Sequence, residues 1–245
     1  DFGFSGELAE IYMRQESWTP AVNEFGIDIW MTTNAVTQGF RTCQSNLGVK
    51  IHDAKDPGQH LGPMFRQVIW TLFSLMENYE EHWKKVRGSE PLEIFGFEGS
   101  IEPESVKVDL DSMIERFKVG FQQFSSLWKD IFCENCFKEI QKAAAMDAKK
   151  FVFPTDSWVR ILYELAATFH AWKVNRLKLI ELVTPLYYAR VASFVKQSMK
   201  MSSHEAEQLV EEQAVKFEKH KDYLIEVWDK KSKEKKKRKR WRSKD

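Results

Sequence analysis

The chain has 245 residues, 43% of them hydrophobic and 30% charged, a balance that excludes global disorder. No run approaches the ~20 apolar residues of a membrane-spanning helix, and three cysteines exclude a disulfide scaffold and suit a reducing cytosol. The net charge of +1 hides an asymmetry. Residues 230–245 hold eleven Lys/Arg against Glu234 and Asp245, which leaves residues 1–229 at a net −8, so the body is acidic and only its end is basic.

The N-terminus shows no basic start and apolar run of a signal peptide, and a first residue other than Met, Asp1, suggests a piece of a longer protein. Ile27, Trp30, Met31 and Ala35 recur at helical spacing, and Gly39 is placed to end that helix in a left-handed cap. Phe40–Ile51 turns extended. A strand there would put Val49 and Ile51 on one face and Lys50 and His52 on the other. A single strand cannot satisfy its own backbone. Its neighbours are either short segments elsewhere in the chain or sequence that is absent, and absence is the expectation. Pro57, Gly58, Gly62 and Pro63 mark residues 53–63 as a loop.

Beyond that point the pattern is helical. Phe65, Ile69, Phe73, Met76 and Trp83 trace one face of a helix stopped by Gly88, and residues 88–107 read as a connector. Ser112 with Glu115 predicts a capping box ahead of Ile114, Phe117, Phe121, Trp128 and Ile131. Pro154–Asp156 opens a helix carrying Trp158, Ile161, Leu165 and Phe169. Pro185 predicts a kink or restart. Ser202 with Glu205 predicts a second capping box, leading to Leu209, Phe217, Leu224 and Trp228. The expected architecture is mainly α: a short α/β segment over residues 1–62, a helical domain over 63–229, and a solvated, disordered basic tail over 230–245.

Reactive side chains are densest between Glu24 and His60. Asp28 sits early on its helix beside Gly26, and His52 ends a predicted strand before Asp53, Asp56 and His60. A strand-end imidazole facing carboxylates can ligate a divalent cation, although most such histidines are merely solvated. Trp18 and Trp30 lie near Asp28 and could stack on a sugar ring, with core packing the default for both. Cys133-Glu134-Asn135-Cys136 is a C-x-x-C, but Cys43 is the only other cysteine, so a four-thiolate zinc site is impossible and buried thiols are expected. His170 reads as a core or groove histidine. Asp109-Leu110-Asp111 reads as helix-start carboxylates.

Three segments, in order, resemble the second half of retaining GT-A glycosyltransferases of the glucosyl-3-phosphoglycerate synthase and mannosylglycerate synthase group. They are Ser5-Gly6-Glu7-Leu8-Ala9, Glu24-Phe25-Gly26-Ile27-Asp28-Ile29, and Gln44-Ser45-Asn46-Leu47-Gly48-Val49-Lys50-Ile51-His52. The likeness covers about residues 4–60, and it implies that the α/β segment completes a GT-A-type sheet. It further implies His52 as a ligand of Mg²⁺ or Mn²⁺, Lys50 beside the nucleotide diphosphate, and Asp28 at the acceptor or reacting centre as the catalytic candidate. Phe25 would wall the acceptor, and Glu7 would hold the loop at its helix start beside it. The implied activity moves a hexosyl group from a nucleotide-diphosphate sugar to a small hydroxylated, glycerate-like acceptor, in compatible-solute or cell-envelope glycoside synthesis. The family's Asp-x-Asp motif and nucleotide-binding half precede these segments. The chain is therefore expected to be the C-terminal part of a cytoplasmic enzyme, inactive without its N-terminal half. The alternative is a non-catalytic helical adaptor for partners or membrane surfaces. Homo-oligomerisation and attachment to an anionic membrane through residues 230–245 are compatible with either.

Overall fold

The computed structural model describes residues 2–16, 18–47, 57–96, 108–172 and 174–242. It is mainly helical and divides into two units, residues 1–104 and 105–245. The sequence pattern had suggested a division after residue 62.

In the first unit, α1 (Gly6–Arg14) is capped by Ser5, whose hydroxyl accepts from the Leu8 amide. α2 (Ile27–Thr37) ends where predicted, with Gly39 at φ +79°, a conformation that costs a residue without a Cβ little. α3 (Pro57–Asn78) and the short α4 (Glu80–Lys85) follow. α3 takes in part of the stretch expected as a loop. Pro57 suits a first helical position, where its missing N–H would have had no partner, and the helix continues through Pro63. α3 packs on α2, which is why the first unit extends well past residue 62. Leu8, Tyr12, Val22, Trp30, Ala35 and Leu75 form the core of this unit.

The extended segment is shorter than expected among the described residues. β1 (Gln44–Asn46) pairs in parallel with β2 (Ile94–Gly96), Ser45 lying opposite Phe95. The strand's partner is thus in the chain, within the residue 88–107 connector, and the expectation that every neighbour is absent is corrected. Both strands are exposed along their length, with Ile94 at 61% and Phe95 at 48%.

The second unit is a helical bundle of α5 (Leu110–Ile131), α6 (Glu134–Ala145), α7 (Thr155–Ala171), α8 (Arg176–Ser198), α9 (Ser203–Lys219) and α10 (Lys221–Arg242), with a 3₁₀ turn at Ala148–Lys150. α8 runs along α5 and α10 along α7. Phe117, Phe151, Phe153, Phe169 and Trp228 are fully buried between them. The Ser202–Glu205 capping box forms as predicted. The other predicted box does not: Asp109 is the cap of α5, accepting from the Ser112 amide at 2.9 Å. A carboxylate at the cap also answers the positive end of the helix dipole, so the helix begins three residues earlier than the Ser112–Glu115 pair suggested. α10 runs to Arg242 and takes in most of the basic stretch expected as a disordered tail. Among the described residues no helix is long and apolar enough to cross a membrane.

Pro185 neither breaks nor restarts α8, which runs through it. Its ring rests in the hollow left by Gly120 on α5, where an added Cβ would lie 2.4 Å from the Pro185 Cβ. Alanine at Gly120 would gain about 1 kcal/mol in helix propensity but would drive α5 and α8 apart. Overpacking of this kind costs about 1–3 kcal/mol, so Gly120→Ala should lower stability, read as a reduced urea midpoint at unchanged slope.

Candidate functional site

The segment Glu24–Asp28 is held by α3. Gln67 accepts from the Phe25 amide at 3.2 Å through its side-chain carbonyl and donates through its amide nitrogen to the Glu24 carboxylate. Gly26 is buried against Thr71: a Cβ there would sit 2.2 Å from the Thr71 hydroxyl oxygen and 2.6 Å from the Ala21 carbonyl oxygen. This close approach requires glycine even though the Gly26 φ of −79° is ordinary. Gly26→Ala should therefore loosen the α2–α3 contact by about 1–3 kcal/mol, seen as lost amide-exchange protection over α2.

Asp28 is exposed in the first turn of α2, where a carboxylate is favoured by the helix dipole. Phe25 is half-buried and Glu7 is exposed in the first turn of α1. Ser5, not Glu7, supplies the cap of that helix. Lys50 and His52 lie outside the described residues. Trp30 is only 1% exposed and sits in the core against Tyr12 and Trp18, which removes it as a sugar-stacking residue. Trp18 remains 45% exposed, although its indole N–H is engaged with the Tyr12 carbonyl. A groove of about 270 Å³ runs between α2, α3 and α4, lined by Thr32, Val36, Leu72, Met76, His82 and Trp83 among others. Thr32 lies one turn beyond Asp28, and the exposed lining is largely apolar, which suits an apolar group better than a polyol.

The second unit holds a cluster that sequence spacing only half revealed. Cys133 is exposed and caps α6, its sulfur accepting from the Cys136 amide at 3.4 Å. Cys136 is buried at 2%, so the expectation of buried thiols holds for one of the two. Glu164 on α7, 3% exposed, accepts from the Cys133 amide at 2.6 Å and receives the Cys136 thiol at 3.8 Å. The Tyr223 hydroxyl on α10 donates to the same carboxylate and reaches the Cys133 sulfur at 3.8 Å. Burial, then the charge of Glu164, push the Cys136 thiol well above the ordinary thiol range. Burial and the hydrogen bond to Glu164 push the Tyr223 phenol up as well. Lys231 on α10 donates to the Thr168 hydroxyl at 2.8 Å and to the Ile131 carbonyl at 3.1 Å. Burial pulls its ammonium down while the Glu164 charge opposes that. Arg160 lies 4.8 Å from the Tyr223 ring centre. His170, expected in the core or a groove, stacks on Trp228 at 4.2 Å.

No family model, curated protein or solved structure matches the chain.

Proposed function

We propose that the chain is part of a metal-dependent retaining glycosyltransferase, with residues 1–104 forming the acceptor and metal side of its active site. The observation that carries this reading is the locked Glu24–Asp28 turn. Gln67 bonds it at Glu24 and Phe25 and Thr71 packs closely on Gly26, while Asp28 faces solvent from a helix start. Its backbone is thus anchored, and among the described residues no ion pair engages its carboxylate, which leaves it open to an acceptor hydroxyl. Among the described residues the sheet has only β1 and β2, each with one unpaired edge, which supports a further α/β half that supplies neighbouring strands and the nucleotide pocket.

His52 is the ligand this chain would contribute to the divalent cation. An imidazole donor suits Mn²⁺ better than Mg²⁺, which favours all-oxygen sets. The bound cation supplies Lewis-acid stabilisation of the departing diphosphate. Lys50 would add a compact positive charge to the same diphosphate. Asp28 would hold the acceptor hydroxyl in line, and Phe25 would exclude water on one side. The donor would be a nucleotide-diphosphate sugar and the acceptor a small hydroxylated acid, in the cytoplasm. The test is transfer by the enzyme containing this chain, with and without Mn²⁺, comparing wild type with Asp28→Asn. Loss of turnover with donor binding retained supports the reading; unchanged turnover refutes the role of Asp28.

A second reading is favoured by α10, whose final turns carry the basic run. Near an anionic bilayer each cation contributes about 1 kcal/mol, enough for peripheral attachment. Binding to phosphatidylserine vesicles that falls with salt and is lost on removing residues 230–245 would support a membrane-surface role. Salt-independent binding would contradict it.

A further inference from the structure

We infer that Cys133, Cys136 and Glu164 form a binding site for a thiophilic divalent cation of the Zn²⁺ type in the second unit. The proposal is independent of the glycosyltransferase reading and concerns a different cation from the one assigned to His52.

The geometry comes first. One ligand atom from each of the three residues lies within 4.8 Å of the other two. The Cys136 sulfur to Glu164 oxygen separation is 3.8 Å. Zinc bonds of about 2.3 Å to sulfur and 2.0–2.2 Å to oxygen, at tetrahedral angles, require sulfur–oxygen edges of about 3.6 Å and sulfur–sulfur edges of about 3.8 Å. The Cys136–Glu164 pair therefore stands close to the edge a tetrahedral ion needs, and the remaining pairs lie within 4.8 Å, a gap that small side-chain rotations close. The Tyr223 hydroxyl, 3.8 Å from the Cys133 sulfur and bonded to Glu164, is placed to orient a solvent molecule at the fourth position.

The surroundings fit the same purpose. Ligating groups are usually fixed by outer hydrogen bonds. Here the Cys133 amide fixes one oxygen of Glu164, and the Cys136 amide points at the Cys133 sulfur. Two thiolates and a carboxylate around a dication leave one negative charge, and Lys231 and Arg160 stand near to answer it. Ligation needs both sulfurs as thiolates, their protons passing to solvent. A groove of about 310 Å³ lined by Asn135, Cys136, Glu139, Asp156, Ser157 and Arg160 provides a way in. The bound ion would tie the start of α6 to α7.

The experiment titrates reduced full chain, in a Cys43→Ser background and without thiol buffers, with Co²⁺ as a spectroscopic stand-in and then with Zn²⁺. The expected result is one Co²⁺ per chain, with a near-ultraviolet thiolate-to-cobalt band and the intense visible bands of tetrahedral cobalt, both abolished by Zn²⁺. Cys133→Ser preserves the helix cap and should cut the thiolate band by about half or more, since only the Cys136 sulfur remains, and Cys133→Ser with Cys136→Ser should remove it. Glu164→Gln should weaken binding at least about tenfold. Zn²⁺ should raise the melting temperature of the parent and leave that of Cys133→Ser unchanged, with far-ultraviolet dichroism confirming that both are folded. No band at saturating cobalt, a band undiminished in Cys133→Ser, or conversion to a Cys133–Cys136 disulfide despite excess Zn²⁺ would each overturn the proposal.

Discussion

Replacing His52 by alanine should reduce glycosyl transfer by about 10²–10³-fold, with little change in the fold. On the proposed function the imidazole helps to hold the cation that stabilises the leaving diphosphate, and removing one charge-stabilising group from a reacting centre typically costs that much. The loss should fall mainly on the chemical step. A variant with lower kcat and a nearly unchanged KM for the acceptor fits this role, whereas a purely raised acceptor KM would place His52 in binding instead. Extra Mn²⁺ should recover part of the activity if the lost group is a ligand and none if it only shapes the fold.

The largest structural effect is expected at Trp128. Its side chain is fully buried in α5, its indole N–H donates to the Leu182 carbonyl at 2.9 Å, and its ring packs near Phe121 and Phe124. Alanine there removes the aromatic surface and leaves a cavity between α5 and α8, a change that costs about 3–5 kcal/mol. For a unit of this size the midpoint should fall by about 10–20 °C. Trp128→Phe retains most of the packing but loses the indole bond to the Leu182 carbonyl, and should cost nearer 1–2 kcal/mol. A loss below 1 kcal/mol for the alanine variant would mean that this side chain is not central to the α5–α8 contact.

The helical character of the chain and many of its helix ends were legible because they rest on local signals. Gly39 adopts a left-handed turn, and Ser202 and Glu205 bond each other across one helical turn. Such features depend on a few neighbouring residues, and the pattern states them directly. What escaped depends on distant partners. β2 is three residues long and sits between glycine and proline signals, so nothing near Ile94 marks it as the partner of Gln44. Ser112 with Glu115 reads as a capping box, and only the three-dimensional helix start shows that the backbone uses Asp109, read as a helix-start carboxylate, as the cap instead. Pro185 is tolerated because Gly120, far away in sequence, makes room for its ring.

The candidate sites divide in the same way. Asp28 stood out beside Gly26 in the sequence, but Gln67 and Thr71, which hold its turn, are about forty residues later and carry no local mark. The C-x-x-C was visible. The carboxylate and phenol that meet it come from α7 and α10, and only folding brings Glu164 and Tyr223 to the two sulfurs.

On the proposed function, the most direct measurement is a transfer assay on the longer protein proposed to contain this chain. A panel of nucleotide-diphosphate hexoses would be offered with glycerate and phosphoglycerate, and the anomeric configuration of any product read by NMR. The account predicts a product whose anomeric configuration matches that of the donor, formed only with a divalent cation and abolished by His52→Ala. Inverted configuration, or turnover that persists both in EDTA and in the His52→Ala variant, would contradict it.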